Sequence, residues 1–171
     1  MIVRPRCRRW RPAFLLGWAF LVACSSAPQT TRLWEEFSSY ARAADVKARL
    51  RIVADRDGWT EKRGRSEAAD ARLQYEFLTL VGPRESYGVP GELTLTFFND
   101  RLMSTSFKAS CEQYIEALRS HGMTMPDKPS AEITVDRRTV FRYDQQQTNC
   151  RFLWVDPKLE REWMDWVRDH A

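Results

Sequence analysis

Five arginines (Arg4, Arg6, Arg8, Arg9 and Arg11) precede an apolar run from Ala13 to Ala23, which ends at Cys24. No other stretch limits the chain's fate so strongly. Eleven helical residues reach about 16 Å, against roughly 30 Å of bilayer hydrocarbon, so the run is too short for a membrane-spanning helix. A basic segment, a short apolar segment and small Ala23 at its end form the layout of a secretory signal peptide. A cytosolic chain with an apolar first helix, or a plain signal peptide with an incidental cysteine, are the alternatives. After cleavage, the chain from Leu33 to Ala171 has room for one domain of ordinary size with a core of its own.

Leu21-Val22-Ala23-Cys24 resembles the lipobox of bacterial lipoproteins. The resemblance covers the first 24 residues, with basic segment, apolar length and cysteine position in register. It implies that residues 1–23 are removed, that Cys24 receives a diacylglyceryl group on sulfur, and that its new amino group is acylated. One acyl chain gives marginal membrane binding, and two or more give a stable anchor. Ser25 stands where an inner-membrane retention signal usually carries Asp, which by the same analogy favours the outer membrane. Residues 24–32 then form the lipidated end and a short polar tether, and 33–171 a periplasmic domain.

Removing the leader changes the charge argument. Five of the 27 Lys and Arg leave with it, so the mature chain carries 22 against 23 Asp and Glu, a net charge near −1. A nucleic-acid partner would require a basic footprint that this balance does not supply. The cysteines sort in the same way. Cys7 lies in the leader and Cys24 is assigned to lipid, leaving Cys111 and Cys150. Two thiols in an oxidising compartment most simply form one disulfide. Two free buried thiols, or a redox pair, are the alternatives, although redox pairs usually sit as Cys-x-x-Cys.

Along the domain, Leu33, Trp34, Phe37, Tyr40 and Ala44 recur at helical intervals, and Val46, Leu50 and Val53 continue the pattern on a shifted face as one bent helix or two. Residues 55–69 read as a charged loop with Trp59 tucked onto the core, an exposed Trp59 forming a contact surface being the alternative. Leu73 to Val81 alternates like a strand, and Gly82-Pro83 and Val89-Pro90-Gly91 bracket a loop. Strands follow over 91–98 and 101–107, joined by Asn99-Asp100 as a two-residue hairpin turn. Ser110-Cys111-Glu112-Gln113 has the form of a capping box, which predicts a helix from Cys111 to His121 ended by Gly122. Short strands are expected at 132–135, 139–143 and 150–155. Asp156-Pro157 then opens a last helix carrying Leu159, Trp163, Trp166 and Val167 on one face. The pattern predicts an α+β fold, a mainly antiparallel sheet with helices packed on one face.

Catalytic signatures are missing from this pattern. No zinc-ligand spacing, nucleophile elbow, P-loop or dinucleotide fingerprint is present. No metal or cofactor is expected. His121 and His170, both near helix C-termini, are explained by the helix dipole. Glu160, Glu162, Asp165 and Asp169 read as a solvated helix face, and Trp163 and Trp166 as core packing, with a ligand platform as the alternative. Ala44 to Leu50, followed by Gly91 to Leu102, is similar to the helix-then-hairpin layout of SmpA/OmlA-type lipoproteins, which assist outer-membrane β-barrel assembly. The Leu-Gly-x-Pro that usually ends that helical segment is absent, Leu50 being followed by Arg51-Ile52-Val53, and the half after Ser110 has no counterpart there. The expected function is a membrane-anchored, non-enzymatic periplasmic module that binds an envelope protein or envelope component. An envelope-active hydrolase using a carboxylate pair is the rival.

Overall fold

A computed structural model of the chain describes residues 29–53, 56–65 and 76–170, and backbone only at 65 and 170. The first elements depart from the expected helix. Leu33 and Trp34 lie in β1 (Arg32–Trp34), and Phe37 lies in β2 (Phe37–Ser38). Trp34 pairs with Phe37 across a two-residue turn, their rings stacked 6.2 Å apart. A three-residue spacing thus serves a tight hairpin as well as a helix. Helix α1 begins only at Ala43 (Ala43–Leu50) and closes on Arg51 in the left-handed region. Its first amide is satisfied from a distance, the Ala43 N–H donating to Asp100 Oδ1 at 3.0 Å.

The sheet has seven strands, β3 (Thr60–Arg65), β4 (Glu76–Ser86), β5 (Val89–Phe98), β6 (Arg101–Ser110), β7 (Ile133–Thr134), β8 (Val140–Gln146) and β9 (Asn149–Val155). Their spatial order is β3-β4-β5-β6-β9-β8-β7, and every pairing is antiparallel. Helix α2 (Cys111–Ser120) carries the chain from β6 to β7, and α3 (Pro157–His170) follows β9. β3 occupies part of the expected charged loop, and Trp59 just before it is buried.

The loop expected after Val81 is instead strand. β4 runs through Gly82 and Pro83 to Ser86, and Tyr87-Gly88, both at positive φ, turns it into β5. Proline is tolerated because β3 pairs only as far as Val81, so its missing N–H interrupts no ladder on that side. At Gly82 a Cβ would overlap the Trp59 indole, which explains the glycine. The Asn99-Asp100 turn has φ of 49° and 58°, the conformation these side chains tolerate.

Period-two alternation divides the sheet into two faces. One carries Leu80, Leu95, Phe97, Phe107, Phe152 and Trp154 into the main core, against the β1–β2 hairpin, α1, and Tyr114 and Leu118 of α2. The other carries Thr79, Thr94, Thr96, Ser104 and Ser106, closed at one end by α3. There Leu159, Trp163 and Trp166 pack with Phe77, Phe98 and Met103, and the Trp163 and Phe77 rings are 5.9 Å apart. The helices are therefore on both faces, not one. An amphipathic stripe on α3 required an apolar surface without specifying which side of the sheet would supply it.

The helix ends also depart from expectation in one place. Ser110 makes no side-chain cap to α2; the Cys111 N–H donates instead to the Thr148 carbonyl at 3.1 Å. At the other end Gly122 (φ 77°) and Met123 donate back to Arg119 and Leu118, so glycine ends the helix in the expected left-handed turn. Asp156 caps α3 as anticipated, Oδ1 accepting from the Lys158 amide at 2.9 Å. Cys111 and Cys150 are joined in a disulfide, Cα–Cα 4.8 Å, which ties the first turn of α2 to β9.

Candidate functional site

On the main-core side of the sheet, the β1–β2 hairpin, the β4–β5 turn, the C-terminal end of α2 and the chain around Asp136 enclose a cleft of about 390 Å³. Its floor is apolar, with Leu33, Leu118, Met123, Val135 and Trp154, and its rim carries Arg32, Glu35, Tyr87, His121 and Asp136. A few polar groups over an apolar floor is the composition of a small-ligand site.

Two rim residues sit where their type is disfavoured. Glu35 (φ 38°) and Tyr87 (φ 50°) occupy the first positions of two separate turns, in the left-handed region that glycine or asparagine enters at little cost. Non-glycine residues held there cost of order 1 kcal/mol or more. Both bring long side chains to the same cleft.

A buried hydrogen-bond chain fixes Glu35. Its Oε1 accepts from Ser86 Oγ at 2.6 Å, Ser86 Oγ lies 2.8 Å from the Tyr114 hydroxyl, and Trp34 Nε1 donates to that hydroxyl at 3.4 Å. The proton order follows from the inventory of donors. The Ser86 proton goes to the carboxylate, so Tyr114 must donate to Ser86 and receive the indole N–H. Burial drives the Tyr114 phenol up to about 12, against the opposing pull of its bonds to Ser86 and Trp34, so it remains a donor at neutral pH. Ser86 itself is 1% exposed.

Opposite Glu35, Tyr87 and His121 lie with ring centroids 4.3 Å apart. His121 Nδ1 lies 2.8 Å from the Ala117 carbonyl, which can only accept, so the neutral ring carries its proton there and leaves Nε2 as an acceptor. Partial burial, and then the Glu35 charge, hold the Tyr87 phenol above its ordinary range. Asp136 is committed to structure, its Oδ2 accepting from the Arg32 amide at 2.6 Å. Thr31 is anchored beside it by its hydroxyl, which donates to the Asp136 carbonyl at 2.6 Å.

Of the residues singled out in the sequence, Cys24 and the rest of 1–28 lie outside the described residues, and the side chain of His170 is likewise outside them. His121 belongs to the cleft. On α3, Glu162 pairs with Arg101 at 2.8 Å, and Asp165 and Asp169 pair with Arg168, so these acids serve the helix surface. Among the described residues no group of three or more His, Cys, Asp or Glu could hold a metal, and no helix is long and apolar enough to cross a membrane. Sequence reasoning missed Arg32, Glu35, Ser86 and Tyr87. Only Tyr87-Gly88 carried a usable signal, as the turn inside what read as a longer loop.

Compared with protein-family models, curated proteins and solved structures, the chain matches none.

Proposed function

We propose that the protein is a lipid-anchored periplasmic module, tethered through Cys24 and held preferentially at the outer membrane, whose cleft binds an envelope protein or envelope component without transforming it. The observation that carries this reading is that the cleft is built against the first residues of the domain. Thr31, seven residues after Cys24, is already hydrogen-bonded beside the cleft, so a fully extended tether keeps that point within roughly 25 Å of the lipidated residue. Whatever enters must lie at the membrane surface or come to it. The Cys111–Cys150 bond supports an oxidising compartment.

The rival reading, a hydrolase acting on envelope material, needs two carboxylates about 5–9 Å apart and free to act. Here Asp136 is engaged by the Arg32 amide, and Ser86 is too deeply buried to meet a substrate. The similarity to SmpA/OmlA-type lipoproteins is carried by α1 and the β5–β6 hairpin, and it supports a shared architecture more than a shared job.

Metabolic palmitate labelling of the wild type and Cys24→Ser tests the anchor: label on the wild type alone is expected, and label persisting in the variant refutes the assignment. Affinity capture from detergent-solubilised envelopes tests the binder. A component recovered by the wild type and lost with Tyr87→Ala is expected; capture indifferent to that substitution contradicts a role for the cleft.

A further inference from the structure

The cleft holds two opposite charges that its own residues do not use. Among the described residues, Glu35 spends Oε1 on Ser86 and its Oε2 has no hydrogen-bond partner, and Arg32 forms no ion pair. Arg32 opens β1 and Glu35 follows its last residue, three positions on, yet the two do not pair with each other. A purely cationic ligand would meet Arg32 and a purely anionic one would meet Glu35, at a cost either way in a partly desolvated cleft. A ligand with both charges is complemented at both ends.

The cleft sets its size. A volume of about 390 Å³ has room for a peptide of two or three residues, which spans roughly 7–11 Å when extended. Leu118, Met123, Val135 and Trp154 line the same cleft, with the Tyr87–His121 ring pair at the rim, a surface suited to apolar or aromatic side chains. An ethanolamine phosphate head group also carries both charges, but has no apolar body to cover this floor.

From this arrangement we infer that the cleft binds a short zwitterionic peptide, its amino terminus on Glu35 and its carboxylate on Arg32, with one apolar side chain against the floor. The inference rests on the cleft being the binding surface and adds the chemistry of its occupant. Glu35 is prepared for the task by the hydrogen-bond chain behind it, which orients the carboxylate before any ligand arrives.

Titration calorimetry on the full-length mature protein in detergent micelles tests this with alanyl-phenylalanine, its N-acetyl derivative, its C-terminal amide, free phenylalanine and O-phosphoethanolamine. The free dipeptide should bind saturably, and each single block should weaken it at least tenfold. Free phenylalanine, whose two charges are held on one Cα, should bind at least tenfold more weakly. Glu35→Gln should abolish discrimination against the N-acetyl form alone, and Arg32→Gln against the amide alone. Absence of dipeptide binding, equal binding of blocked and unblocked forms, or stronger binding of phosphoethanolamine would each overturn the inference. The blocked peptides need no variant, so a folding defect in either substitution cannot mask the answer. Capture of an envelope component through the cleft together with failure of every dipeptide would sink this inference and leave the proposed function standing.

Discussion

Breaking the Cys111–Cys150 bond gives the most quantitative test of how the domain is held. In the native state the cross-link adds little constraint that the sheet does not already impose. Ala109 pairs directly with Cys150, and the Cys111 amide is bonded to the Thr148 carbonyl. Its effect falls instead on the unfolded chain, where it closes a loop with a sequence separation of 39 residues. The chain-entropy relation gives about 4 kcal/mol for a loop of that size. With a urea dependence of about 2 kcal/mol per molar, ordinary for a small domain, the midpoint should fall by roughly 2 M. Three samples should be compared by tryptophan fluorescence: oxidised wild type, reduced wild type and the Cys111→Ala/Cys150→Ala double variant. The reduced wild type isolates the cross-link, since the double variant also loses buried sulfur at Cys150, 1% exposed. The urea dependence should steepen on reduction as the unfolded chain expands. A midpoint moving by less than roughly 0.5 M, about 1 kcal/mol, would refute the reasoning.

Two further perturbations follow from buried groups. Asp156, 0% exposed, receives Arg138 at 3.0 and 2.6 Å and also caps α3, so Asp156→Asn should destabilise the fold by about 3 kcal/mol. Burial by itself would raise this carboxyl, but hydrogen bonds from Arg138, Ser39 and the Lys158 amide hold it below its ordinary 3.8. Its contribution is therefore complete above about pH 4 and is lost as pH falls through the lowered value; thermal melts in acid should show a shallower decline for Asp156→Asn, and parallel curves would contradict this. Gly82→Ala should force the Trp59 indole out of its place at a cost of about 1–3 kcal/mol, read as a lower Tm with red-shifted emission, and an unchanged Tm would contradict the packing.

Where the sequence was legible, side-chain chemistry and backbone geometry coincided. Asn99-Asp100 marked its hairpin because both residues tolerate positive φ, Gly122 ended α2, and Asp156-Pro157 opened α3. It misled where one pattern served two structures. Trp34 and Phe37 satisfy helical spacing and also pair across a two-residue turn, and the glutamate that makes the turn gives no local sign of it. Gly82-Pro83 read as a loop because proline ends most strands; that β3 stops short of it is a tertiary fact. The cleft was hidden for the same reason. Its rim comes from residues 32, 35, 87, 121 and 136, which only the β-meander and the α2 crossover bring together.

The proposed function makes the cleft the surface through which the protein acts. Its most direct test is photo-crosslinking in intact cells, with a benzophenone side chain placed at Tyr87 on the cleft rim or at Met164, exposed on α3 across the sheet. An envelope adduct specific to position 87 is the result expected. No adduct at 87, or the same adducts from both positions, would contradict the account.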